Sequence, residues 1–509
     1  MDYRLSSVRW LALILLLNVG CESDSQSMIE PAPAPAPSDD RRTVTHQFPD
    51  IELEGFEELT PCVTWRINND EALYVNTITL YNEGASHHSN WFVVPEDIYD
   101  GPDGFFDCAS RGFDQVTSAV NGTVIYAQST QSRNEVQALP PGVVIKIPPR
   151  HRVVAGTHFL NLSSRSMTTS LRLGLEVVHP RFVETVVAPL HLGYFDLHIP
   201  PQSQSRHTGE CFLSESYFQA SGQTFDMKVY YLLPHYHDLG NYFRIEIMGG
   251  PRDGETLLEM EGFNAEANGI VFDPPIDLTG SEGLRVTCGF DNPRDDVIGY
   301  GIGDQEMCEF LGLVDSEVMM EGGVRNHDAD SATDMGEYIQ YVSECGAFAV
   351  PKNLAQSMPS EAEVAAELYV PVPSEGDRDL PATIDCVDTP VDAVAEAPVN
   401  LDSIRTDIFE ASCNFSACHG GSVPAAGLDL RGENLKERLL MTEVIGAPEH
   451  RLVVPGSPED SWLYQVVSKC EPMLEPGSPA HTHMPLNAPV LLDAVLVAKI
   501  RDWILNGAQ

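Results

Sequence analysis

The sequence predicts a multidomain chain in which two antiparallel β sandwiches are followed by a small all-α domain. Three observations predict it. From about residue 45 to 350, short alternating or β-branched runs such as LYVNTITLY, GVVIKIPP and FRIEIMGG are broken by Gly, Pro, Asn and Asp turns, the pattern of antiparallel sandwiches. The chain has 509 residues, more than one ordinary core accommodates, so several domains share it. Beyond residue 400, LDSIRTDIFEASC and LLDAVLVAKIRDWILNG have helical spacing, with Leu401, Ile404, Ile408 and Phe409 on one face.

In chain order, residues 1–21 read as an export signal. Arg4 and Arg9 precede an apolar run, Trp10 to Leu17, that is too short to cross a bilayer as a helix. Gly20-Cys21 then resembles a bacterial lipoprotein cleavage site, which would make Cys21 the lipid-bearing first residue of a protein anchored to a membrane at the periplasm or cell surface; Asn18 stands where an aliphatic residue is usual, and an ordinary cleaved signal is the alternative. Residues 22–44 form a Pro/Ala-rich tether, with PAPAPAP at 31–37 as a semi-rigid spacer. The first sandwich takes 45–198 and the second 199–350, with the break at HIPPQSQSR, where the apolar pattern gives way to Pro, Gln and Ser. Residues 351–400 turn acidic and aperiodic and read as a linker, and 401–509 form the helical domain.

Charge and cysteine content narrow the function. Thirty basic against 75 acidic residues leave a net charge of −45, which repels phosphate backbones and excludes nucleic acid as a partner. Eleven cysteines in an exported chain imply an oxidising compartment. Setting aside Cys21 and the pair Cys413 and Cys418 leaves eight, Cys62, Cys108, Cys211, Cys288, Cys308, Cys345, Cys386 and Cys470, an even number as a disulfide framework requires.

Two histidine clusters carry the chemistry. His87 and His88 stand in GASHHSNW, and His235 and His237 in LLPHYHDLG. Paired imidazoles suit copper, zinc, iron or nickel. TCGFDNPRDDVIGYGIGDQEMCEF, at 287–310, adds Met307, a soft thioether that tips two imidazoles towards copper; the alternative is Met307 as core filler.

GASHHSNW, AGTHFLN, LPHYHDLGNYF and TCGFDNPRDDVIGYGIGDQEMC, in this order, resemble the motifs of the type II copper, ascorbate-dependent monooxygenases, the family of peptidylglycine α-hydroxylating and dopamine β-monooxygenases. The resemblance covers roughly 300 residues. It implies two jelly-roll-like sandwiches with one copper each: an electron-transfer copper on His87, His88 and His158, and an oxygen-activating copper on His235, His237 and Met307. His151, in PPRHRVVAGTH, competes with His158 as a ligand. The implied reaction is hydroxylation of a C–H bond of a small organic substrate with dioxygen, with an external donor such as ascorbate supplying electrons. The implied disulfides are Cys62 with Cys108, Cys211 with Cys345, and Cys288 with Cys308. Leu233 stands where the family's peptide hydroxylases carry an Arg for the substrate carboxylate, which argues against C-terminal glycine peptides.

CNFSACHGG, at 413–421, places His419 directly after the second of two cysteines, the pattern of c-type haem attachment through Cys413 and Cys418. Four residues separate the cysteines where two are usual, and a zinc site or a plain disulfide are the alternatives. With AAGLDLRG, VVPGSPEDSWLY, HTHMP and IRDWILNGA, the last 110 or so residues resemble cytochrome c-like domains. Met484 is then the distal ligand, with His481 or His483 as alternatives, and Cys386 and Cys470 remain as a disulfide fastening the linker. These parts imply a copper monooxygenase supplied with electrons by its own haem. The other reading is an exported copper and haem protein that moves electrons or holds metal without hydroxylating anything.

Overall fold

The computed structural model describes residues 41–55, 57–83, 85–128, 134–161, 166–237, 239–261, 269–301, 305–371, 387–410, 413–414, 419–420, 424–432, 434–444, 447–475, 477–478, 480–481, 483–484 and 491–509. The export signal with Cys21, the PAPAPAP tether, Cys386 and Cys418 lie outside the described residues.

Two six-stranded sheets build the first unit. In one, Leu171–Val178 lies between Arg41–Gln47 and Leu73–Asn82; in the other, His151–Leu160 lies between Cys62–Arg66 and Ser86–Pro95. Period-two burial joins them: Leu171, Leu173, Leu175 and Val177 face Trp65, Trp91 and Val153 in one core. The sheet begins at Arg41, inside the stretch that composition assigns to the tether, because Val44 is buried and His46 stacks on Trp65 at 4.6 Å.

The passage to the next sheet also differs from the sequence reading. Thr185–Val186 pairs in the first unit and Ala188–Tyr194 in the second, so the chain crosses at Val187. That residue is buried, and no polar punctuation marks it. The second array has eleven strands. Its long strand Ile339–Pro351 pairs in parallel with Ser203–Phe212 through its first half and antiparallel with Val318–Val324 through its second. One strand thereby serves two sheets, and the array curls almost closed around a core that includes Leu190, Phe243, Val286 and Phe310.

The disulfides Cys62–Cys108, Cys211–Cys345 and Cys288–Cys308 are all formed, the pairing expected, and they fit an oxidising environment. Cys470 is also disulfide-bonded, to a partner outside the described residues. The stretch read as a linker is docked over its first part. Asn353 Nδ2 donates to the carbonyls of Val120 and Gly122, Tyr74 donates to Glu363, and Leu368, Tyr369 and Val370 pack on the first core.

The C-terminal segments Leu401–Ile404, Leu435–Met441, Trp462–Ser468 and Ala494–Leu505 are helical and surround a core of their own with Ile404, Phe409, Leu439 and Trp503. A buried ion pair, Lys499 to Asp407 at 2.5 Å, ties the last helix to the first. This region is not all-α as expected, because the antiparallel ladder of Glu443–Val444 with Ala447–Arg451 interrupts it. Among the described residues no helix is long and apolar enough to cross a membrane.

Candidate metal centre

His87 and His88 are neighbours on the strand Ser86–Pro95, and regular pleating would send them to opposite faces. A β-bulge prevents this. His88 pairs with His158 and Ser86 with Phe159, which leaves His87 as the extra residue on its strand. Ala85, held at φ 55°, turns the chain into the bulge. The donor atoms of His87, His88 and His158 consequently lie within 4.8 Å of one another. His151 sits on the same strand as His158, seven positions away and so on the opposite face, where Pro149 O holds its Nδ1.

Hydrogen bonds assign the nitrogens. Glu58 accepts from His158 Nε2 at 2.7 Å, so Nδ1 is the nitrogen left to a metal, and it faces His88 Nε2 at 3.0 Å. Loss of hydration, then the neighbouring imidazoles of His158, His237 and His235, holds the pKa of His87 down to about 3. Burial lowers His88 and His158 as well. Neutral imidazoles are the form that binds metal.

The second pair is set by alternation around Tyr236. Its ring stacks on Phe243 inside the core, which turns His235 and His237 to the other side. Gly240 is needed here because a Cβ would collide with the Tyr236 ring. The buried carboxylate of Glu306 accepts the backbone N–H groups of His237 and Leu239 at 2.9 and 2.7 Å. Gln305 O accepts from His237 Nδ1, leaving Nε2 as its donor atom. His235 Nδ1 is buried with no hydrogen-bond partner, an orphaned polar atom that a metal would satisfy. Burial, then His237, pushes the His235 pKa down to about 4.

Met307 is half-buried between Glu306 and the bridged Cys308, so the Glu306 clamp and the Cys288–Cys308 disulfide fix its backbone beside the pair. Sequence reasoning missed Glu306, although it adjoins Met307 in GDQEMC. It also missed Glu58, which carries no local signal. The two histidine sets meet: the rings of His88 and His235 are 5.9 Å apart, and His235 and His237 are 5.2 Å apart. The donor set and the orphaned nitrogen fit copper.

In the C-terminal region, Cys413 is a free thiol that burial pushes up to about 12, and Leu428 O accepts from His419 Nδ1 at 3.0 Å, which makes Nε2 the lone-pair nitrogen. Cys413 and Met484 pack against the same core. His481 is exposed with its ring edge-on to Trp462, and His483 Nδ1 is buried without a partner. Cys418, the second cysteine of the expected haem attachment, lies outside the described residues.

No protein-family model and no curated protein matches the chain. Among solved structures, it is similar to the major capsid protein P2 of bacteriophage PM2 at 8% identity, over 54% of this chain and 97% of that one, with a TM-score of 0.22. It is also similar to the PBSX exported protein XepA, at 9% identity over 53% and 86% with a TM-score of 0.14. The CUB1-EGF-CUB2 region of human MASP-1/3 follows at 11% over 53% and 99%, TM-score 0.13.

Proposed function

We propose that this chain is a copper-dependent monooxygenase that hydroxylates a C–H bond of a small organic substrate with dioxygen, in two jelly-roll-like sandwiches followed by a cytochrome c-like domain. The observation that carries the reading is the meeting of five imidazoles, three of them with donor atoms within 4.8 Å of one another and two, His158 and His237, with their tautomers set by Glu58 and Gln305 O. His87, His88 and His158 would hold one copper, and His235, His237 and Met307 the other. Bound copper supplies one-electron chemistry towards dioxygen. The chain's own residues do the rest: Glu58 orients His158, Gln305 O orients His237, and Glu306 holds the His237 to Leu239 turn.

Inserting one oxygen atom and releasing the other as water requires two electrons and two protons, from a one-electron donor such as ascorbate or a c-type haem. Cys413, Cys418, His419 and Met484 would hold that haem, whose iron passes single electrons. An exported form anchored through a lipid on Cys21 belongs to the same proposal. The experiment is a metal and haem count on purified protein, followed by dioxygen consumption with ascorbate across a panel of small organic compounds. Two coppers with uptake that depends on one of the compounds are expected. Two coppers with no such uptake would instead identify an electron-transfer or metal-binding protein. A pyridine-haem spectrum tests the haem separately.

A further inference from the structure

One face of the second array is turned away from its core and gathers three arginines, in a chain with 30 basic residues against 75 acidic ones. The strands Gly240–Met248, Gly283–Asn292, Ser203–Phe212 and Ile339–Pro351 lie side by side there in that order. Phe243, Val286 and Cys288 point into the core, so their neighbours along each strand point outwards. Register decides which of these meet. Tyr242 pairs with Gly289 and Gly289 with Arg206, while Arg244, Thr287 and Thr208 form the next row. Gly289 lets the first row close, because a Cβ on it would lie 2.7 Å from Tyr242 Cβ. Short side chains thus hold the centre and long ones the rim, which leaves an open hollow of about 220 Å³.

The three arginines are not equivalent. Arg244 is paired with Glu246 and Arg285 with Glu210, each at 3.0 Å. Arg206 reaches no carboxylate among the described residues, only the Tyr338 hydroxyl at 3.5 Å. Its guanidinium carbon lies 3.7 Å from the centre of the Tyr242 ring and 4.2 Å from that of Tyr338, and Glu259 pins Tyr242 by accepting from its hydroxyl at 2.6 Å. Stacking on the rings leaves the N–H edge of the guanidinium, the part that grips a carboxylate with two parallel bonds. The rest of the hollow has a different chemistry. The two ion pairs cancel in charge yet keep spare N–H donors and carboxylate lone pairs, and the hydroxyls of Thr208 and Thr287, 2.7 Å apart, add more of both. A ligand hydroxyl, which donates and accepts, matches each of these, whereas a second negative charge would meet Glu210 or Glu246. We propose that the hollow binds a small sugar acid, with its carboxylate on Arg206 and its hydroxyls on the threonines and the two ion pairs. The site shares no residue with the histidine sets and stands whether or not they hold copper.

The test is isothermal titration calorimetry on the full chain with D-glucuronate, D-glucose and acetate as probes. Glucuronate is expected to bind more than about tenfold tighter than glucose, which lacks the carboxylate, or acetate, which lacks the hydroxyls, as loss of a charge-assisted pair or of several hydrogen bonds requires. Arg206→Lys keeps the charge but loses the fork and the stacking, and should weaken glucuronate by a similar factor. Thr287→Leu fills the floor and removes a hydroxyl without touching any charge, and should weaken it as well. Glucose or acetate binding as tightly as glucuronate would overturn the sugar-acid assignment, and the absence of saturable glucuronate binding would overturn the site. Undiminished binding to folded Arg206→Lys or Thr287→Leu would place the ligand elsewhere and overturn it too. Should either variant not fold, the wild-type titration still decides.

Discussion

His87, His88 and His158 have ring spacings of 4.7 to 5.0 Å, and a second trio in the same chain, His198, His207 and His327, comes close to matching them at 4.9 and 5.6 Å. The difference is in ring orientation. His158 meets both His87 and His88 edge to face, at 83°, and the donor nitrogens of the three converge. His198 and His327 instead stack at 23°, and His207 stacks on Tyr341 at 15°. An imidazole lone pair lies in the ring plane, so edge-to-face rings can aim at one point, while stacked rings aim side by side. One nitrogen of each ring in the second trio is engaged elsewhere: His327 Nδ1 with the Tyr194 hydroxyl at 2.7 Å, His207 Nε2 with Ser205 Oγ at 3.2 Å, and His198 Nδ1 with Asp196 O at 3.2 Å. His207 Nδ1 is buried without a partner among the described residues, and the trio's donor atoms do not gather at one point as those of His87, His88 and His158 do. Proximity alone makes a packed histidine core; convergence makes a group that could hold a metal ion.

The largest expected effect separates the two trios directly. His88→Ala removes one of the three converging donors and should weaken copper binding more than about 100-fold, beyond what loss of an outer hydrogen bond costs. His327→Ala should leave both copper affinity and stoichiometry unchanged. Competition with a chelator of known copper affinity measures both. A loss of copper in His327→Ala would show that stacked rings can open to ligate, and the comparison would break there.

Much of this was legible in the residues, and the misses have a common origin. Period-two burial in Leu171 to Val177 announces a strand with a core face, and a β-rich chain follows from many such runs. The histidine motifs identify which residues to watch. What they do not carry is the bulge: by strict alternation His87 and His88 diverge, and only the skipped register opposite Phe159 brings them together. Glu58 lies 100 residues from the histidine it orients, and His198, His207 and His327 are scattered over a still longer stretch, so neither group leaves a local pattern. The crossing at buried Val187 and the double pairing of Ile339–Pro351 hide for a related reason. Punctuation by Pro, Gly and polar residues marks loops, whereas these changes of sheet occur within extended apolar chain.

A medium effect sharpens the second trio as a structural core. His207 is fully buried, and burial, then His327 and His198, holds its pKa down to about 3 against 6.5 for an ordinary imidazole. The unfolded chain binds a proton at His207 below 6.5 while the folded one does not until about 3, so this stability is complete above 6.5 and is lost as pH falls towards 3. Going from about pH 7 to about pH 5 should cost about 2 kcal/mol through this residue. Urea unfolding at the two pH values measures it, with His207→Phe expected to lose that part of the acid sensitivity. An equal pH dependence in the variant would mean that other groups carry it.

The smallest expected effect concerns the hydrogen bond that separates a converging trio from a packed one. Glu58 is half exposed and holds His158 Nε2 at 2.7 Å, which commits Nδ1 to the side facing His88. In the second trio the equivalent commitment goes to Tyr194 and Ser205, whose hydroxyls can both donate and accept and so leave the tautomer open. Glu58→Ala should therefore lower copper affinity at the first set by about tenfold, the low end for loss of an orienting carboxylate. Glu58→Gln, which can still accept from Nε2–H, should recover part of that loss. Both are read by chelator competition, with the hyperfine pattern of the bound cupric ion reporting whether the ligand nitrogens have changed. If Glu58→Ala binds copper as tightly as the wild type with the same hyperfine pattern, the bulge alone aims the three imidazoles, and the carboxylate serves only to keep His158 in place on its strand.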